Sequence, residues 1–114
     1  MGDTLGELEF GLLFALVACG PGADGRRLRA ELARRTGREV SAGACYTALE
    51  RLEQKGLVAS WLGETTPTRG GRRRREYRLE PLGARTLLDA HGRLTAAAEG
   101  LLPTLRRHAA QPAH

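Results

Sequence analysis

No stretch of 18 or more residues in this sequence is free of charge, so nothing in it has the length and apolarity of a bilayer-spanning helix. A secretory leader is not expected either, because Asp3, Glu7 and Glu9 stand where a signal peptide carries basic residues. The address implied is cytoplasmic, with no membrane partner. Cysteine is scarce: Cys19 and Cys45 both lie inside apolar patterns with no histidine at ligand spacing, and they read as buried thiols rather than metal ligands. The three histidines, His91, His108 and His114, are too far apart to form a motif, and none neighbours a suitable acid or nucleophile. No catalytic residue, metal or cofactor is therefore expected. With 114 residues there is room for one domain. A domain this small buries a modest share of its surface, so an arm that packs on a second copy is physically useful.

What the chain does contain is arginine, in two concentrations. Lys55 is the single lysine among 18 basic residues, and the formal net charge is +5. Positions 1–25 hold four acids and no base, whereas Arg26–Arg38 and Arg69–Arg78 each hold six arginines against one glutamate. Each of these two segments contributes +5 and the rest of the chain sums to −5. Paired cationic patches of this kind suit a phosphate-facing surface. Arginine's planar fork fits phosphates and guanine edges, although a GC-rich genome produces the same bias through composition alone.

Apolar periodicity organises the chain. Leu5, Leu8, Leu12, Leu16 and Cys19 share one face of a first helix, and Phe10, Leu13, Phe14 and Val17 fill its sides. A helix apolar nearly all round must be covered on more than one side, in a core or at a subunit interface. Gly20, Pro21 and Gly22 end it. A second helix, capped by Asp24 and stopped by Gly37, buries Leu28 and Leu32 and leaves Arg26, Arg27, Arg34 and Arg35 in water. Ser41 caps a third helix whose inner face is Cys45, Ala48, Leu49 and Leu52. Its opposite side carries Gly43, Tyr46, Thr47, Glu50 and Gln54, polar and small at the leading end. After Gly56, a strand over Leu57–Leu62, a glycine- and threonine-rich loop over Gly63–Gly71 and an alternating strand over Arg75–Leu79 make a hairpin with a basic tip. Pro81 opens a last helix. On it Leu87, His91, Leu94, Ala98, Leu101 and Leu105 recur at heptad spacing, a seam for a partner helix. Gly92, Gly100 and Pro103 loosen or kink that helix.

The expected fold is mainly α with a small β-hairpin, a winged helix-turn-helix. Its organisation is a DNA-binding domain over 1–80, a C-terminal dimerisation helix over 81–107 and a frayed tail over 108–114. In such an arrangement the helix after the turn lies in the major groove with its leading residues against base edges. The partner expected is double-stranded DNA, and the candidate contacts are Ser41, Gly43, Tyr46, Thr47, Arg51 and Lys55 on or beside the third helix. Arg69, Arg72, Arg73 and Arg74 join them from the hairpin, where arginine can follow the backbone or enter a narrow minor groove. Glu50 repels phosphate unless it accepts from a cytosine amine or pairs with Arg51 or Lys55.

Three runs carry a family resemblance: LGELEFGLLFAL, VSAGACYTALERLEQKGLV and TRGGRRRREYRLEPLG. Over roughly Leu5–Leu102 the chain resembles the PadR family of winged-helix transcriptional regulators, in its short form with a single C-terminal helix. The resemblance implies repression as a homodimer, commonly of the regulator's own operon. It also implies backbone-contact or supporting roles for Tyr46 and Lys55, a cap at Ser41, wing contacts from Arg72, Arg73 and Arg74, and dimerisation through the last helix. Glu80 stands where the family usually has a threonine cap. Some members bind aromatic effectors at the dimer centre, which adds a small aromatic effector to the partners to consider. Trp61 lies instead in the strand leading to the wing, where an aromatic more often packs or touches sugar and phosphate. The competing reading is a winged-helix module for protein-protein contact without specific DNA binding, suggested by Glu50 and Glu53 on the third helix.

Overall fold

Local chemistry starts and stops the helices of the computed structural model, which describes residues 5–64 and 73–113. Helix α1 spans Glu7–Cys19 and begins where Glu9 Oε1 accepts from the Gly6 amide at 3.0 Å. A two-residue strand, β1 (Ala23–Asp24), leads into α2 (Gly25–Thr36). The Asp24 carboxylate caps α2 by accepting from the Arg27 amide at 2.8 Å, satisfying one of the amides that a helix start leaves unpaired. Gly37, at φ 75°, closes the helix in the left-handed conformation that glycine adopts without strain. Helix α3 spans Ala42–Gln54, with Ser41 as its cap. Strands β2 (Val58–Leu62) and β3 (Arg75–Leu79) follow, then α4 (Pro81–Ala98), which opens on its proline, and α5 (Leu102–Ala109).

The expected hairpin is present, and the sheet has one strand more than expected. Its order is β1-β3-β2, antiparallel throughout. Tyr77 on the central strand stands opposite Ala23 on one side and Ser60 on the other. Its ring is in the core, and burial pushes the phenol up to about 12. Leu12, Leu13 and Leu16 of α1, Leu28 and Leu32 of α2, and Leu49 and Leu52 of α3 meet Val58 and Tyr77 in one cluster. At about 25 cal/mol per Å² of apolar surface removed from water, these side chains are the main source of stability.

The last helix differs from a single element over 81–107. It ends at Ala98, and Gly100 at φ 77° turns the chain before α5 begins. A non-glycine residue tolerates that conformation poorly, and Pro103, near the start of α5, has no amide to continue α4. Helix α5 then runs through Ala109, into the segment expected to fray. Gly83 lies so close to the Leu57 carbonyl that a Cβ would collide with it, which seats the start of α4 against the root of the hairpin. Beyond Leu87 the helix leaves the core, and the residues of α5 are exposed. The Cα radius of gyration is 17.1 Å, with extents of 56 × 31 × 24 Å, against about 13 Å for a rounded domain of this length. The C-terminal helices are thus an arm standing off a packed head. Among the described residues no helix is long and apolar enough to cross a membrane.

Candidate nucleic-acid interface

The leading end of α3 is positioned from two directions. Ser41 Oγ accepts from the Ala44 amide at 3.1 Å. One residue earlier, Arg29 of α2 donates from Nε and Nη2 to the Val40 carbonyl at 3.1 and 3.0 Å. A planar guanidinium fork on one oxygen restrains direction as well as distance, so α2 fixes the turn from which α3 departs. Cys45, Ala48, Leu49 and Leu52 hold the inner face. Burial raises the Cys45 thiol to about 11, which leaves it protonated and inert at neutral pH. Ala42, Gly43, Tyr46, Thr47, Glu50 and Arg51 remain on the exposed face.

Tyr46 is 46% exposed and its ring lies across the backbone of Gly25. A Cβ at that glycine would sit 2.5 Å from Cε1 and 2.8 Å from the hydroxyl oxygen. The side chain therefore stands beside the start of α2, whose cap is also an anchor for the hairpin. Asp24 gives one oxygen to the Arg27 amide and the other to Arg74 Nη1, at 2.7 Å. Burial opposes the Asp24 charge, but the Arg74 hydrogen bond and the Arg27 amide outweigh it and hold the carboxyl below its usual value. Tyr46, Gly25, Asp24 and Arg74 form a connected series from α3 through α2 to the hairpin.

Two of the expected contact residues are held by carboxylates of the chain itself. Lys55 points inward: Nζ lies 3.1 Å from Glu9 Oε2 of α1, and both side chains are largely buried. It supports α3 from behind, the second of the two roles that the resemblance allowed. Arg74 is half-buried against Asp24, so it braces the loop end of the hairpin before it offers charge to any partner. Arg51 and Arg73 are exposed, with no ion-pair partner among the described residues. Arg69 and Arg72 lie outside the described residues. Glu50 pairs with neither Arg51 nor Lys55. Trp61 lies on the hairpin, its ring centre 5.9 Å from the Arg78 guanidinium, a packing contact that is one of the two roles expected of it. Arg34 and Arg35 converge on Glu31, whose carboxyl their hydrogen bonds depress to about 2. Arg38 reaches Glu7 of α1 at 3.1 Å, so four of the six arginines in the first concentration are internally engaged: Arg29, Arg34, Arg35 and Arg38.

The expected dimer seam is distributed differently along its length. Leu87 is 6% exposed and belongs to the core of its own chain, so it is not available to a partner. His91 meets Phe14 edge-on at 6.2 Å. Leu94, Leu101 and Leu105 are exposed, Leu94 by 73%. The break at Gly100 interrupts the heptad spacing, yet Leu94, Ala98, Leu101 and Leu105 still line one apolar concavity of about 430 Å³.

A comparison with protein families matches residues 16–89 to the Transcriptional regulator PadR-like family. The chain belongs to the PadR-like family of transcriptional regulators. The match runs from the last turn of α1 to the middle of α4, and membership makes this a regulator rather than an enzyme. A PadR family transcriptional regulator from Eggerthella lenta is 28% identical, covering 87% of this chain and 86% of its own, with a TM-score of 0.68. The winged-helix DNA-binding protein F93 from STIV shares the fold at 18% identity, with 86% and 98% covered and a TM-score of 0.67. Bacillus subtilis PadR, solved in complex with operator DNA, is 18% identical over 72% of this chain and 45% of its own, with a TM-score of 0.61. A comparison with curated proteins gives no match. The fold of this PadR-like regulator is thus the winged helix, with α2 and α3 as the helix-turn-helix and the β2–β3 hairpin as the wing.

Proposed function

We propose that this PadR-like regulator is a homodimeric repressor that binds double-stranded DNA in a sequence-dependent way, with α3 in the major groove and the wing on the flanking backbone. The observation that carries the reading is the connected face of Tyr46, Asp24 and Arg74, which puts the exposed end of α3 and the arginine-rich loop end of the hairpin on one side of the head. The operator complex of Bacillus subtilis PadR, which shares the fold, supports it. Gly43 and Thr47 are small enough for close approach to base edges, Tyr46 and Arg51 supply donors, and Arg73 with Arg69 and Arg72 supplies backbone charge. Ser41 and Lys55 act by holding α3. Residues 1–80 form the reading domain and the helices after Pro81 the dimer element, in a protein that works in the cytoplasm.

Dimerisation is supported by an arm whose leucines face outward. Phe14 and Val17 of α1 are exposed on the head, the side of that helix for which the sequence demanded cover. His91, Leu94, Ala98, Leu101 and Leu105 with these two residues compose the contact. A groove of about 330 Å³ between α1 and α4, lined by Phe10, Phe14, Ala90, His91 and Leu94 among others, is of a size that suits a small aromatic effector.

The test is a footprint on the region upstream of the regulator's own gene, with a titration against the same fragment and a random duplex. A two-fold symmetric protected site with half-sites about one helical turn apart is expected. Equal, weak affinity for promoter and random DNA would leave the protein-protein module as the better reading.

A further inference from the structure

Beside the wing, the head has a second cationic feature, in which Arg26 and Arg27 have no role in the reading above. A depression of about 450 Å³ is lined by Gly22, Asp24, Arg26, Arg27, Ala30 and Arg74. Arg26 and Arg27 occupy the first turn of α2, the end of a helix at which positive side chains are disfavoured by the aligned peptide dipoles. Both are exposed, and neither has a carboxylate partner among the described residues. The one acid in the depression, Asp24, already gives one oxygen to the Arg27 amide and the other to Arg74. Three arginine side chains thus line a depression whose single acid already accepts on both oxygens. An anion entering there relieves their mutual repulsion and meets donors whose planar forks match phosphate oxygens.

We infer that Arg26, Arg27 and Arg74 form a phosphate seat, and that its occupant is a backbone phosphodiester of the same duplex that α3 reads. The inference rests on the proposed DNA-binding function and adds to it a contact on the α2 side of the groove. Placement decides between a strand phosphate and a free one. The seat adjoins Gly25, and the Tyr46 ring lies on Gly25, so a phosphate held there borders the groove that the exposed face of α3 enters. Arg74 reaches Asp24 through Nη1, and that bond aims the remainder of its fork instead of consuming it. The seat contributes affinity without sequence preference, since it touches no base.

The experiment compares the full-length protein with an Arg26→Ala/Arg27→Ala variant, in titrations against promoter and scrambled duplexes over a salt series. Neither altered side chain makes an intramolecular hydrogen bond among the described residues, so an unchanged thermal midpoint serves as the folding control. Loss of the one seated phosphate makes the slope of log K against log salt shallower by about 0.9, with the two duplexes weakened by the same factor. An Arg26→Lys/Arg27→Lys variant restores most of the slope. If the parent binds duplex with a steep salt dependence and the alanine variant keeps that slope, the seat is refuted while the DNA-binding reading stands. Absence of salt-dependent binding by the parent overturns that reading and the seat with it. A variant that loses only competition by inorganic phosphate, at matched ionic strength, shows a seat for a free anion and overturns the strand assignment.

Discussion

Leucines of similar spacing meet opposite fates in the head and in the arm. Leu12, Leu28, Leu49 and Leu52 are sealed in the core, whereas Leu88, Leu94, Leu101 and Leu105 are mostly in water. The difference lies in what stands opposite them. Helices α1, α2 and α3 converge on each other and on a three-stranded sheet, whereas α4 past Leu87 meets α1 only along one edge, through His91 and Phe14, and its leucines and those of α5 stay exposed. Apolar periodicity therefore reports that a face needs cover and says nothing about which molecule supplies it.

The contrast can be broken most forcefully inside the head. Leu28→Ala should cost about 3 kcal/mol of unfolding free energy, and denaturant titrations at low and high protein concentration should give the same loss. In the arm, Leu94→Asp combined with Leu101→Asp should leave the far-ultraviolet circular dichroism of the head intact. It should weaken self-association by about 100-fold or more, since each leucine forfeits about 1.5–3 kcal/mol of burial; sedimentation velocity reads this directly, and a dimer that survives would refute the arm as its interface. Gly25→Ala sharpens the comparison at the head's working face. The new Cβ collides with the Tyr46 ring, so a loss of about 1–3 kcal/mol should accompany weaker promoter binding, with self-association unchanged. Ser41→Ala should remove about 1 kcal/mol through the lost cap, seen as a lowered thermal midpoint.

The smallest effect is expected from acid. Asp24 titrates in the folded protein below its ordinary value of 3.8, so its contribution to stability is complete above that value. It disappears as pH falls through the lower, folded value, because the unfolded chain then binds the proton more readily. Asp24→Asn should flatten this acid limb of the stability profile, as followed by thermal melts between neutral pH and about pH 3.

Much of this was legible because helix ends are local. Asp24, Gly37, Ser41 and Pro81 announce themselves through side chains that act within a few residues, and each stands at a boundary in the structure. The inner faces of α2 and α3 followed from spacing for the same reason. The long-range pairs were not legible. Lys55 with Glu9 and Arg74 with Asp24 are separated by 46 and 50 residues, and a count of basic residues cannot say which of them fold inward. Strand β1 is too short to show alternation, and it exists because Ala23 lies beside Tyr77. The break between α4 and α5 was half visible in Gly100 and Pro103, since glycine permits a turn without dictating one. The placement of Arg69 and Arg72 lies outside the described residues.

Arg29 touches no part of the exposed face, yet it grips the peptide oxygen from which α3 sets out. The tilt of the probing helix is thus separable from its chemistry. Swapping that guanidine for a shorter or single-pronged group would re-aim every side chain on α3 at once, which under the proposed function offers a route to altered DNA preference without editing any residue proposed to face the bases.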